Sequence, residues 1–85
     1  MQQIKHVIND PLGMHARPAG LLVKTAAPFS SRITVSTPAG AADVRRLMAL
    51  MCLAAQKGTE LTITIEGTDE VQAASALRAF LDANL

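Results

Sequence analysis

The chain has 85 residues, 18% of them charged and 49% apolar, and a formal net charge of +1. That length sets one domain, 1–85, which buries roughly 60–65% of the surface exposed by its unfolded form, and the apolar share excludes a disordered chain. The near-neutral charge, with no Trp or Tyr and only Phe29 and Phe80 as aromatics, argues against nucleic acid held by bulk charge or base stacking. A single cysteine, Cys52, allows no internal disulfide and fits a reducing, cytoplasmic setting. Ile4-Lys5-His6-Val7 interrupts any apolar run near the start, so no signal peptide is expected. The apolar stretch from Leu47 to Ala55 is too short to insert across a membrane.

Residues 2–8 are strand-like, with Ile4, His6 and Ile8 on one face and Lys5 and Val7 on the other. Asn9-Asp10-Pro11-Leu12-Gly13 is a turn cluster. A helix follows over about 16–27, with Pro18 in the first turn, where its missing N–H costs nothing. Leu21, Leu22, Thr25 and Phe29 are expected on its inner face, and Pro28 helps to end it. Residues 32–37 alternate, with Ile33 and Val35 inward, and Pro38-Ala39-Gly40 turns the chain into a weak strand over 40–44. A short helix is expected over 46–53, stopped by Lys57-Gly58. Residues 60–66 give the clearest strand, with Leu61, Ile63 and Ile65 opposed to Thr62 and Thr64. Asp69 is expected to cap the last helix, with Gln72 at the capping-box position. Ala73, Ala74, Leu77, Phe80 and Leu81 form the buried stripe of that helix.

The order βαββαβα, with clean alternation in two strands, implies an α+β fold in which one face of the sheet is covered by all the helices. It is an open-faced sandwich, and short connections favour an antiparallel sheet.

The densest chemistry lies at Gly13-Met14-His15-Ala16-Arg17-Pro18, which runs directly into the first helix. It sets an imidazole at a helix mouth, where backbone N–H groups lack partners and the dipole is positive. Such a place holds a phosphate, and a histidine there can carry one covalently. Free imidazole titrates at about pH 6.5, so the side chain type is largely neutral and nucleophilic near neutrality. A bound phosphoryl group adds roughly −1.5 to −2 charges. The amides of Ala16 and Arg17 can receive that charge, and the Arg17 guanidinium can pair with phosphate oxygens.

The segment 13–19 and the order of elements together resemble the HPr family, the histidine-containing phosphocarriers of the bacterial phosphotransferase system. Leu47-Met48-Ala49-Leu50-Met51 is similar to the family's exposed apolar second helix, and Gln56-Lys57-Gly58-Thr59-Glu60-Leu61-Thr62-Ile63 to its entry into the fourth strand. The resemblance covers the whole chain. It implies a four-stranded antiparallel sheet with three helices on one face. It also implies phosphorylation of His15 at Nδ1, with phosphorylated enzyme I as donor and enzyme IIA proteins or domains as acceptors. The protein is then a carrier, modified and regenerated each cycle, and not a true catalyst. No cofactor, metal or nucleic acid is expected, and a monomer is.

The second helix is too apolar for one buried face, so part of it is expected to meet partners. Leu47 and Met48 match the family's exposed pair, and flexible methionines, Met51 among them, suit a surface fitted to several partners. Arg45 and Arg46 stand at the wrong end of a helix for cations. With Arg17 and Lys24 they are expected to form a basic rim for acidic partners. Arg46 stands where many relatives carry a regulatory serine, which puts serine-linked control in question and leaves Asp43 to cap the helix. Leu12 replaces a polar residue that orients the histidine ring in some relatives. Two other readings remain open at this level. One is a regulatory phosphocarrier of the nitrogen branch, and the other a small protein-binding module with an unphosphorylated histidine. His6 is expected to be a satisfied structural histidine, since no second ligand sits at metal spacing. Cys52 is expected to pack as a small apolar group.

Overall fold

The computed structural model describes residues 1–53 and 55–85. Its elements are β1 (Gln2–Val7), α1 (Ala16–Ala26), β2 (Arg32–Thr37), β3 (Gly40–Asp43), α2 (Leu47–Cys52), β4 (Glu60–Glu66) and α3 (Glu70–Asn84). The expected order is observed, with element ends that differ by one residue at five places. One antiparallel sheet runs β1-β4-β2-β3, so the last strand inserts between the first two.

Register explains the two faces. Ile4 pairs with Ile63, Ile63 with Val35, and Val35 with Ala42, a row of buried apolar residues across all four strands. Ile65 opposite Ile33 and Leu61 opposite His6 extend the same face. The intervening rows, Gln3–Thr64–Thr34–Asp43 and Lys5–Thr62–Ser36–Ala41, form the open polar face. A one-residue slip would exchange these faces, so hydrophobic burial fixes the register.

The three helices cover the apolar face. α1 contributes Pro18, Ala19, Leu22 and Ala26, spaced three to four residues apart as one helical stripe requires. Leu21 departs from the expected inner face and is 39% exposed, because it lies one position off that stripe. Thr25 is half-buried, and its hydroxyl donates to the Leu21 carbonyl at 2.8 Å. α3 contributes Ala73, Leu77, Phe80 and Leu81, while α2 contributes Leu50 alone. Each fully buried Leu or Ile stabilises the fold by about 1.5–3 kcal/mol.

Several expected local features differ. Asp69 occupies the N-cap of α3 but makes no capping bond. Its carboxylate reaches back to the α1–β2 loop, accepting from the N–H of Ser30 at 2.8 Å, the N–H of Ser31 at 3.0 Å, and the Ser31 hydroxyl. Bonds to two amides and a hydroxyl outcompete a single capping bond. The Ser31 hydroxyl first, then the Ser30 amide, holds the Asp69 carboxyl below its ordinary value. The N-terminal side of α3 is instead tied by Glu70, which accepts the Gly67 N–H at 3.3 Å. At α2 the N-cap is Arg46, and Asp43 accepts the Arg45 N–H at 2.8 Å in the preceding turn. Cys52 is exposed, not packed inside. His6 faces Asp82 through Nδ1 at 3.9 Å, whereas its buried Nε2 has no hydrogen-bond partner among the described residues.

Candidate functional site

The loop 8–15 presents His15, and three features fix its path. Gly13 has φ +67, and a Cβ there would strike the Ala55 carbonyl oxygen and come within 2.8 Å of Gln56 Cα. Only glycine fits such a close approach in the left-handed region. The Met14 N–H donates to the same Ala55 oxygen at 2.8 Å, and the His15 N–H donates to the Gly13 carbonyl at 3.0 Å. Met14 is itself buried, so the residue before the histidine is an anchor in the core.

His15 is the N-cap of α1, in extended conformation with φ −95 and ψ −177, and its side chain makes no capping bond. Its carbonyl accepts the Ala19 N–H at 3.1 Å, which starts the helix. The N–H groups of Ala16 and Arg17 have no acceptor among the described residues, and Pro18 has no N–H to satisfy. Two unclaimed amides therefore point out of the positive end of α1 beside an imidazole whose side chain is 35% exposed. No acidic side chain occupies the first turn to neutralise that end.

These groups border an open hollow of about 330 Å³. Asp10 and Leu12 come from the loop, His15, Arg17, Pro18 and Leu21 from α1 and its cap, and Ala83 and Asn84 from the end of α3. Arg17 is exposed, and its guanidinium is unpaired with any carboxylate among the described residues. The Asp10 carboxylate stands 4.0 Å from His15 Nε2. Chemically, the helix mouth offers an imidazole nitrogen, two backbone donors and the exposed Arg17 cation, a set able to hold a tetrahedral dianion on the ring.

The other residues singled out in the sequence lie outside this hollow. Lys24 sits in the last turn of α1, about 13 Å along the helix from His15 at 1.5 Å per residue. Arg45 is engaged near that same end, where its guanidinium donates to the Phe29 carbonyl at 2.5 Å and the Ser31 carbonyl at 3.3 Å. Arg46 is exposed and makes no ion pair among the described residues. On α2, Met48 is 70% exposed and Leu47 38%, while Met51 is half-buried against the core. Sequence reasoning missed Asp10, Leu12 and Leu21 as walls of the hollow, and Ala83 and Asn84 entirely. Asp10 left one signal, a turn-forming carboxylate five residues before the histidine. Ala83 and Asn84 left none, since only the docking of α3 brings them there.

Fold and site define a class: small open-faced α+β proteins that present one histidine at the mouth of a helix. Residues 2–83 match the family model described as the PTS HPr component phosphorylation site. The chain belongs to the HPr family, the phosphocarrier proteins of the phosphotransferase system. It is 43% identical over 81 residues to phosphocarrier protein HPr of Lysinibacillus sphaericus, spanning 95% of this chain and 92% of that relative. A solved mycoplasma histidine-containing phosphocarrier protein superposes with a TM-score of 0.93 at 35% identity, over 96% of this chain and 93% of the other. HPr from Bacillus anthracis superposes at 0.85 with 32% identity, over 94% and 95% of the two chains.

Proposed function

We propose that His15 accepts a phosphoryl group from phosphorylated enzyme I and passes it to enzyme IIA proteins or domains. The observation that carries this reading is the conjunction at one helix mouth of a partly exposed imidazole and, among the described residues, the unclaimed amides of Ala16 and Arg17 and the unpaired Arg17 guanidinium. Transfer between two histidines asks the scaffold for in-line positioning and charge stabilisation more than for covalent chemistry of its own. The imidazole attacks phosphorus as the donor's N–P bond breaks. The two amides and Arg17 then meet the oxygens of the transferred group, and the same contacts loosen when an acceptor offers its own donors.

Partners dock, in this reading, on the exposed Leu47 and Met48 of α2 with Arg46 at its start. Met51 supports that surface from its half-buried position, and Lys24 adds charge at the far end of α1. Arg45 contributes chiefly by holding the α1–β2 loop, given its bonds to Phe29 and Ser31. The protein works as a cytoplasmic monomer, with complementary charge speeding encounter. Among the described residues no helix is long and apolar enough to cross a membrane.

The test is incubation with enzyme I and phosphoenolpyruvate, followed by phosphorus NMR. The wild type gains one acid-labile phosphohistidine signal and His15→Ala gains none. Labelling of His15→Ala would assign the phosphoryl group to another residue.

A further inference from the structure

We propose that Asp10 is the positioning residue for His15. Its carboxylate keeps the imidazole proton on Nε2, which leaves the Nδ1 lone pair free for phosphorus, and it stabilises the ring charge created by phosphorylation. The inference rests on the reading of His15 as the phosphorylated residue.

The geometry singles out Asp10. Its Oδ1 is 4.0 Å from Nε2, beyond a direct hydrogen bond but within the ~4–6 Å over which a neighbouring charge biases where a ring holds its proton. The carboxylate is held in place, because Oδ1 also accepts the Leu12 N–H at 2.8 Å. The backbone of Asp10 is held as well. Its carbonyl accepts the Gly13 N–H at 3.0 Å, and its N–H donates to the main-chain oxygen of Leu85 at 3.2 Å, beside the Asn9 N–H on the same oxygen. Leu12 has no polar side-chain atom with which to hold the ring, and its contribution is the amide that fixes Asp10. Among the described residues that line the hollow, the charged side chains are Asp10 from the loop and Arg17 from α1, and the end of α3 contributes Ala83 and Asn84; the Leu85 main-chain oxygen is taken up by the Asn9 and Asp10 amides. Asp82 belongs to the neighbouring hollow, beside His6.

A carboxylate beside one ring nitrogen selects the tautomer protonated there and favours the cationic ring. When Nδ1 forms its bond to phosphorus, the donor's N–P bond breaks and its electron pair returns to the donor ring. The Nε2 proton stays, so the ring becomes a phosphoimidazolium with its positive charge next to Asp10. Onward transfer then expels neutral imidazole, whereas loss of that proton would require imidazolate, a far poorer leaving group. Arg17 and the helix mouth serve the phosphoryl oxygens, and Asp10 serves the ring, so the two charges are handled separately.

The experiment compares wild type, Asp10→Asn and Asp10→Ser, with Asp82→Asn as control, by nitrogen NMR of the His15 ring before and after phosphorylation and by the rate of onward transfer to an enzyme IIA. Asn and Ser both retain an acceptor for the Leu12 N–H but carry no charge. Before phosphorylation, both Asp10 variants should move the nitrogen signals of the ring away from the Nε2-protonated tautomer. Onward transfer should slow roughly two- to fivefold, an effect that shrinks in high salt. Asp82→Asn should leave both readouts unchanged. If wild-type His15 is phosphorylated but both Asp10 variants keep its tautomer and transfer rate, Asp10 has no such role. If wild-type His15 takes no phosphoryl group, it is the underlying reading that fails.

Discussion

Replacing Gly13 with alanine tests how the loop presents His15. At φ +67 an L-residue costs about 1–2 kcal/mol through its own backbone. The added Cβ collides with the Ala55 carbonyl oxygen and lies 2.8 Å from Gln56 Cα, both backbone atoms that cannot swing away. Separating the two segments weakens the Met14 N–H bond to Ala55, worth about 0.5–1.5 kcal/mol. The sum is about 1.5–3.5 kcal/mol, a large share of the roughly 4–13 kcal/mol available to a domain of this length. Urea unfolding should show that loss, with a fall in Tm of about 10–25 °C. The His15 N–H is bonded to the Gly13 carbonyl, so the ring moves too, and phosphorylation by enzyme I should slow about tenfold or more. Gly20→Ala is the matched control. A Cβ there meets nothing within 4 Å, and alanine inside α1 should stabilise by about 0.5–1 kcal/mol. A Gly13→Ala protein with wild-type urea midpoint and wild-type phosphorylation rate would refute the close-approach argument.

The remaining predictions concern the second helix, the basic side chains and acid stability. Met48→Ala should change stability by less than about 0.5 kcal/mol yet slow transfer to acceptors, whereas Leu50→Ala, fully buried, should cost about 2–5 kcal/mol in urea titration. Arg46→Glu should slow phosphoryl transfer at low salt and lose that effect at high salt. Arg45→Ala should instead lower stability by about 1 kcal/mol through its bonds to Phe29 and Ser31, with little change in transfer rate. The folded Asp69 carboxyl lies below its ordinary value, so its stabilising contribution is complete above the unfolded carboxylate range, about pH 4, and is lost as pH falls through the lower folded value. Asp69→Asn should therefore flatten the acid limb of a plot of urea midpoint against pH, and an unchanged limb would exclude the Ser30–Ser31 bridge as its source.

Local spacing determined much of this protein without reference to tertiary contacts. Alternation in Leu61, Ile63 and Ile65 set a strand with one buried face, and Pro18 after His15 set a helix start, because side-chain direction follows from backbone periodicity within a few residues. The histidine at a helix mouth was legible for the same reason: its unpaired amides are the next two residues in the chain. Contacts between distant segments were not legible. Asp69 reads locally as a cap, yet bonds to Ser30 and Ser31 capture it because the end of β4 is laid against the α1–β2 loop. Arg45 reads as a free surface cation, yet the carbonyls of that same loop bind its guanidinium. Leu21 reads as core until the stripe of α1 settles on Ala19 and Leu22. The sequence by itself determined the elements, most of their faces and the histidine at the helix mouth, since these depend on neighbours along the chain. Tertiary structure alone decided that β4 lies between β1 and β2, that the end of α3 walls the hollow, and which charges remain free around His15, because those depend on how the helices seat on the sheet.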